Sequence, residues 1–208
     1  ASCAAAAAEV QQSTGRRALP VAFHAGKWDD CERLFRTTIE HFGRIDVLVN
    51  NAGMSPLYGT LSDITEDLYD KTFAVNLKGP FRLSILAAEW MVEHDGGSII
   101  NIGTAGSLVA STRELPYACA KAGLNAMTVG MADAFAPKVR VNAILPGPFR
   151  TDISKGWGEE ALKGGFVPLK RIGGFADVGP LALHLASAAS SFTTGAIIRV
   201  DGGITKKV

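Results

Sequence analysis

Five short apolar runs, separated by helical stretches, leave this chain few ways to fold. They lie at residues 19–23, 45–49, 98–102, 139–145 and 196–200. Most are near-continuous rather than alternating, as suits strands covered on both faces. The run 139–145 is the exception, broken by Arg140 and Asn142. Helical spacing fills the intervals. Residues 31–42 put Leu34, Phe35, Thr38, Ile39 and Phe42 on one stripe, with Asp29 and Asp30 at the positive end of the helix and Gly43 to close it. Residues 65–76, 80–94, 117–135 and 177–186 read as further helices. Strands alternating with helices imply an α/β fold around a parallel sheet. There is no internal repeat and no low-complexity linker, so residues 1–208 read as one domain.

Composition narrows the partners. The formal net charge is +1 with no Lys/Arg cluster, which argues against nucleic acid. No apolar run reaches the roughly 20 residues of a spanning helix. Cys3, Cys31 and Cys119 have no metal-ligand spacing and leave one unpaired in any disulfide scheme, so reduced cysteines in a cytoplasmic protein are expected, and no metal. The alanine run at 4–8 lacks the basic leader and bulky apolar stretch of a signal peptide and reads as helix. Because the chain opens on Ala1 in mid-helix, it is expected to begin inside a domain.

In parallel α/β sheets, ligands bind beyond the carboxyl ends of the strands. Small or polar residues follow three of the runs here. They are Asn50-Asn51-Ala52-Gly53, Gly103-Thr104, and Pro146-Gly147-Pro148-Phe149-Arg150-Thr151. Tyr117 and Lys121 lie four residues apart at the start of a helix that follows Pro116, so both project from one face. A cation beside a phenol favours the phenolate and brings proton transfer within reach. The alternative for the pair alone is an exposed helical contact.

Taken together and in order, these motifs resemble the short-chain dehydrogenase/reductase family. Asn50-Asn51-Ala52-Gly53, Asn76 in Val75-Asn76-Leu77-Lys78-Gly79, Tyr117 with Lys121, Pro146-Gly147 with Thr151, and the closing Ser191–Gly195 and Asp201-Gly202-Gly203 segments carry the likeness along nearly the whole chain. Three departures stand out. The family's early Gly-rich turn and its second strand are not in the sequence, so the N-terminal portion of a Rossmann-like, doubly wound, three-layer fold is expected to be incomplete. The catalytic Ser position holds Thr104. An Asp that often ends the family's third strand is His24.

The resemblance implies hydride transfer between NAD or NADP and a small alcohol or carbonyl substrate. It makes Tyr117 the general acid/base and Lys121 the group that lowers its pKa and meets the nicotinamide ribose. It puts Thr104 on the substrate oxygen and Asn76 on a water leading to solvent. Asn76 has the alternative of bending a helix and satisfying backbone groups. Asn50, Ala52 and Gly53 would admit the adenosine half. Pro146, Gly147, Phe149 and Thr151 would meet the nicotinamide end, with contributions from Tyr117 and Lys121. A homo-tetramer or homo-dimer is also implied. Without the Gly-rich turn, weak dinucleotide binding is expected, and a non-catalytic binding or scaffold protein is the rival reading. The stretch 155–174 would shape the substrate pocket. Neither the substrate nor the choice of NAD or NADP is encoded in these motifs.

Overall fold

The protein is described by a computed structural model covering residues 3–151, 154 and 158–205. Four parallel strands form one sheet in the order β1 (Val47–Asn50), β2 (Gly97–Ile102), β3 (Val139–Pro146) and β4 (Ile197–Val200). The register aligns Asn50 with Asn101 and Ile102 with Ile144, so the strand ends share one edge. Side chains of successive residues point to opposite faces. Ile99 therefore joins Ala87, Ala88, Met91, Met131 and Val141 on one face, while Ile100 joins Ile144 and Leu185 on the other.

Helices cover both faces. α1 (Cys3–Thr14) carries the alanine run, and α2 (Trp28–Phe42) packs on α4 (Gly79–Glu93). α3 (Glu66–Phe73) begins at Thr65, whose hydroxyl accepts from the Leu68 N–H. α4 and α5 (Leu115–Ala134) lie on one face of the sheet, α7 (Phe175–Ala186) on the other, and α6 (Glu159–Lys163) is a short turn between them in sequence. This is a three-layer Rossmann-like arrangement. No described helix is long and apolar enough to cross a membrane.

Two expectations are corrected. Residues 19–23 do not form a strand. Burial alternates along them, with Val21 and Phe23 partly covered and Ala22 exposed, but no described strand pairs with them. A strand is defined by its ladder. Here the Ala22 carbonyl accepts from Arg33 and the His24 N–H donates to Asp30 instead. The helix expected at 65–76 also does not run through unbroken. It widens at Ala74–Lys78 into one π-helical turn, then re-forms as α4. β1 is an edge strand, and Val47 and Val49 on it stay 37% and 47% exposed.

A buried polar chain locks the sheet to its helices. Asn50 donates to Ser84 Oγ and to Asn101 Oδ1, both at 2.8 Å, Asn101 donates to Thr128 Oγ1 at 2.9 Å, and Thr128 donates to the Leu124 carbonyl at 2.8 Å. It joins β1, β2, α4 and α5 under the working edge.

Candidate active site

β2 ends at Ile102, and the chain turns through Gly103 into the short 3₁₀ segment Ala105–Ser107. Thr104 caps this segment, its Oγ1 accepting from the Gly106 N–H at 3.2 Å. The nearby Ser107 hydroxyl is committed elsewhere. It donates to the Thr104 carbonyl at 2.6 Å and accepts from Asn125 at 2.9 Å. Thr104 is thus the hydroxyl left to act on Tyr117, whose phenol it pulls towards ionisation as a hydrogen-bonding neighbour.

The start of α5 is fixed from a distance. Tyr58 Oη accepts from the Leu115 N–H at 2.8 Å and donates to the Thr112 carbonyl at 2.6 Å. An N–H of the first helical turn has no partner within its own helix, and here a side chain 57 residues away in sequence supplies one. Pro116 then pre-sets the backbone for the first turn. Tyr117 and Lys121 follow on one face.

Lys121 is 2% exposed. Its Nζ donates to the Ile102 carbonyl at 2.7 Å and lies 5.9 Å from the centre of the Tyr117 ring. That is its one hydrogen bond among the described residues, so two of three ammonium N–H groups remain for a ligand. The space beside them is kept by Gly53. A Cβ there would sit 3.6 Å from Nζ and 3.0 Å from Asn76 Oδ1. Burial pushes Lys121 down to about 8. Burial, and then the Glu114 charge, push Tyr117 up to about 12. Desolvation is thus the largest influence on Tyr117, and only the Thr104 hydroxyl works against it.

Asn76 sits on the π turn, fully buried. Both its N–H groups are used, one on the Met54 carbonyl and one on the Thr72 carbonyl, each at 2.8 Å, and Oδ1 accepts from the Met54 N–H at 3.2 Å. The extra residue of the π turn aims this amide at the loop after β1 and holds Gly53 in place. Asn50 turns its side chain inward to the polar chain, so only its backbone faces the edge. Ala52 is exposed in the loop that follows.

Beyond β3, Gly147 packs against Asp201, where a Cβ would come within 2.7 Å of Asp201 Cα. Phe149 bridges to Gly173, and the Arg150 N–H donates to the Gly173 carbonyl at 2.9 Å. Thr151 is exposed. Its backbone is held by Ser154, while its hydroxyl has no partner among the described residues. Gly53, Asn76, Thr104, Tyr117 and Lys121 thus come together, and Pro146, Gly147, Phe149 and Thr151 follow the neighbouring strand at the same sheet edge. The pocket-shaping stretch 155–174 falls in part, at 155–157, outside the described residues. From Gly158 onward it folds back, burying Val167 and Ile172. Tyr58 and Glu114 belong to the site and had not been singled out. Only the position of Glu114, three residues before Tyr117, could have pointed to it.

A buried, under-bonded lysine costs stability, which gives a test. Folding disfavours its charged form, so the penalty is full below about pH 8 and fades as pH rises towards 10.5. The gap corresponds to about 3 kcal/mol at most, part of it offset by the bond to Ile102. Lys121→Met is expected to unfold in urea at pH 7 with equal or greater stability than the unaltered protein, the difference narrowing by pH 10. A loss of more than about 1 kcal/mol, the worth of an ordinary hydrogen bond, would make Lys121 a structural residue instead.

Known proteins match this chain along most of its length. The family model described as enoyl-(acyl carrier protein) reductase matches residues 1–205. The L-rhamnose 1-dehydrogenase (NAD(P)(+)) of Azotobacter vinelandii is 37% identical over 203 residues, spanning 95% of this chain and 79% of that protein. The human dehydrogenase/reductase SDR family member 4 is 31% identical over 203 residues, spanning 95% and 73%. A crystal structure of a gluconate 5-dehydrogenase from Burkholderia cenocepacia, in complex with NADP and tartrate, superposes with a TM-score of 0.90 at 29% identity, covering 99% of this chain and 82% of that one. With a parallel sheet, a buried Lys beside a Tyr, and a match along its length, the chain belongs to the short-chain dehydrogenase/reductase family of NAD(P)-dependent oxidoreductases.

Proposed function

We propose that the protein interconverts a small alcohol and its carbonyl compound, with Tyr117 as the general acid and base. The observation that carries this reading is the Tyr117 phenol set between the Thr104 hydroxyl and a buried lysine with N–H groups to spare. A structural role gives no reason to bury such a cation, so a non-catalytic scaffold is the weaker reading.

NAD or NADP, when bound, supplies or accepts the hydride. The residues present suit it. The spare N–H groups of Lys121 suit ribose hydroxyls in the space Gly53 leaves clear. The Thr151 hydroxyl suits the carboxamide, with Pro146, Gly147 and Phe149 shaping that end. The small residue Ala52, with the backbone of Asn50, suits the adenosine side. In the reducing direction Tyr117 gives its proton to the substrate oxygen, which Thr104 also holds. In the oxidising direction the phenolate takes the proton back, and Lys121 stabilises that charge. Asn76 anchors the loop carrying Gly53 and supports a water path from Lys121 to solvent. Relatives named for L-rhamnose and gluconate support a small polar substrate.

The protein is further proposed to be a cytoplasmic homo-oligomer. Its three cysteines are free. Phe81 and Val92 on α4 and Val129 on α5 stay exposed on faces turned from the sheet, and burial against a second copy would cover them.

Tyr117→Phe should lower kcat about 10²-fold or more, the scale of a lost general acid/base, with the circular dichroism spectrum unchanged. Wild-type turnover in that variant would sink the role of Tyr117. Light scattering at micromolar concentration should report a dimer or tetramer, and a monomer alone would count against self-association.

A further inference from the structure

Glu114 lies close enough to Tyr117 for its charge to act on the phenol, and it has no assigned task. It precedes Tyr117 by three residues and ends the loop that Tyr58 clamps. Its carboxylate lies over the turn that holds Thr104. A Cβ on Gly106 would come within 2.5 Å of Glu114 Oε1 and 3.5 Å of Thr104 Oγ1. Its charge reaches Tyr117.

Its surroundings differ from those of the other partly buried carboxylates among the described residues, Asp30, Glu32, Asp177 and Asp201, all of which have donors. Asp30 accepts from the His24 N–H and Arg33, Asp63 from Thr60, Asp177 from Arg171 and the Gly174 N–H, and Asp201 from the Gly203 and Thr205 N–H groups. Glu32 is paired with Arg82. Glu114, half-buried, has no donor among the described residues. Burial accordingly pushes its carboxyl up, while Asp30, Asp177 and Asp201 are held down. A partly desolvated carboxylate without donors is costly, and a ligand that brings a donor relieves that cost.

We propose that Glu114 is a specificity-determining residue that accepts a hydrogen bond from a hydroxyl on the carbon next to the reacting one, so that the protein selects vicinally hydroxylated, sugar-like substrates over bare ketones and secondary alcohols. The proposal rests on the oxidoreductase reading above and sharpens its substrate class. A hydroxyl fits better than an ammonium group, because a cationic substrate would have to lie near the buried Lys121 and would be repelled by it. A site built around such an acceptor discriminates strongly against an analogue lacking the donor.

The test uses matched pairs, acetoin against butan-2-one and D-glucose against 2-deoxy-D-glucose, with 3-aminobutan-2-one as the cationic probe. Each is assayed with NAD(H) and NADP(H) on the unaltered protein, Glu114→Gln and Glu114→Ala. Preference within a pair is read as a ratio of kcat/KM, since the Glu114 charge also acts on Tyr117 and shifts both members together. The unaltered protein should favour the hydroxylated member by about 10- to 100-fold, the worth of one hydrogen bond to a charged group, chiefly through KM. Glu114→Ala should erase that ratio, and Glu114→Gln, which keeps an acceptor oxygen, should retain part of it. An unchanged ratio in Glu114→Ala, no preference in the unaltered protein, or preference for the amine would each overturn the proposal and leave the oxidoreductase reading standing. Failure of the unaltered protein to turn over any probe with either cofactor would remove that reading, and this proposal with it.

Discussion

The working edge of this fold hangs on a line of hydrogen bonds buried beneath it. Ser84, Asn50, Asn101 and Thr128 pass from α4 through the ends of β1 and β2 to α5. Polar groups sealed from water bond strongly to each other, and each is costly if left alone. Sliding α5 along the sheet would break the line at Thr128. Sliding β1 against β2 would break it at Asn50. The line therefore sets the register at which Lys121 finds the Ile102 carbonyl and Tyr117 faces Thr104. Asn50 itself keeps one buried oxygen without a partner among the described residues, a local cost borne by an arrangement satisfied along the rest of the line.

Above that line, the structure trades stability for a poised charge. Lys121 is nearly sealed from solvent with one hydrogen bond among the described residues, and Tyr117 is desolvated beside a carboxylate. A structural network would satisfy these groups; here they are left short of partners. Gly53 keeps open the volume in front of the lysine, and the π turn carrying Asn76 holds Gly53 there. The same logic reaches Glu114. The proposed hydroxylated carbonyl substrate would bring the hydroxyls and the carbonyl oxygen that these groups lack.

Much of this was legible in the sequence, because much of it is periodic or local. The strand runs at 98–102 and 139–145, the Tyr–Lys spacing behind Pro116, the helix-closing Gly43 and the small residues after each strand all act within a few residues of one another. What escaped depends on partners far away. Residues 19–23 have the composition of a strand, but a strand needs a neighbour and no described segment supplies it. Tyr58 is an unremarked loop residue until its hydroxyl meets Leu115. Asn101 reads as an ordinary polar break in a strand until Asn50 and Thr128 close on it. The π turn at Ala74–Lys78 adds one residue to a turn, a change too small for the 3.6-residue pattern to show.

That a hydride changes carbon in the space bounded by Tyr117, Lys121, Thr104 and Gly53 is the proposal on which the rest depends. It is tested most directly by supplying NADH and NADPH carrying deuterium at the transferable C4 position, together with a hydroxyketone, and locating the label by mass spectrometry and NMR. One deuterium per product is expected, on the carbinol carbon, from one face of the cofactor only, with transfer slowed about 10²-fold or more in a variant lacking the Tyr117 hydroxyl. Label that stays on the cofactor while product forms, or label that arrives in the product equally from both cofactor faces, would contradict it.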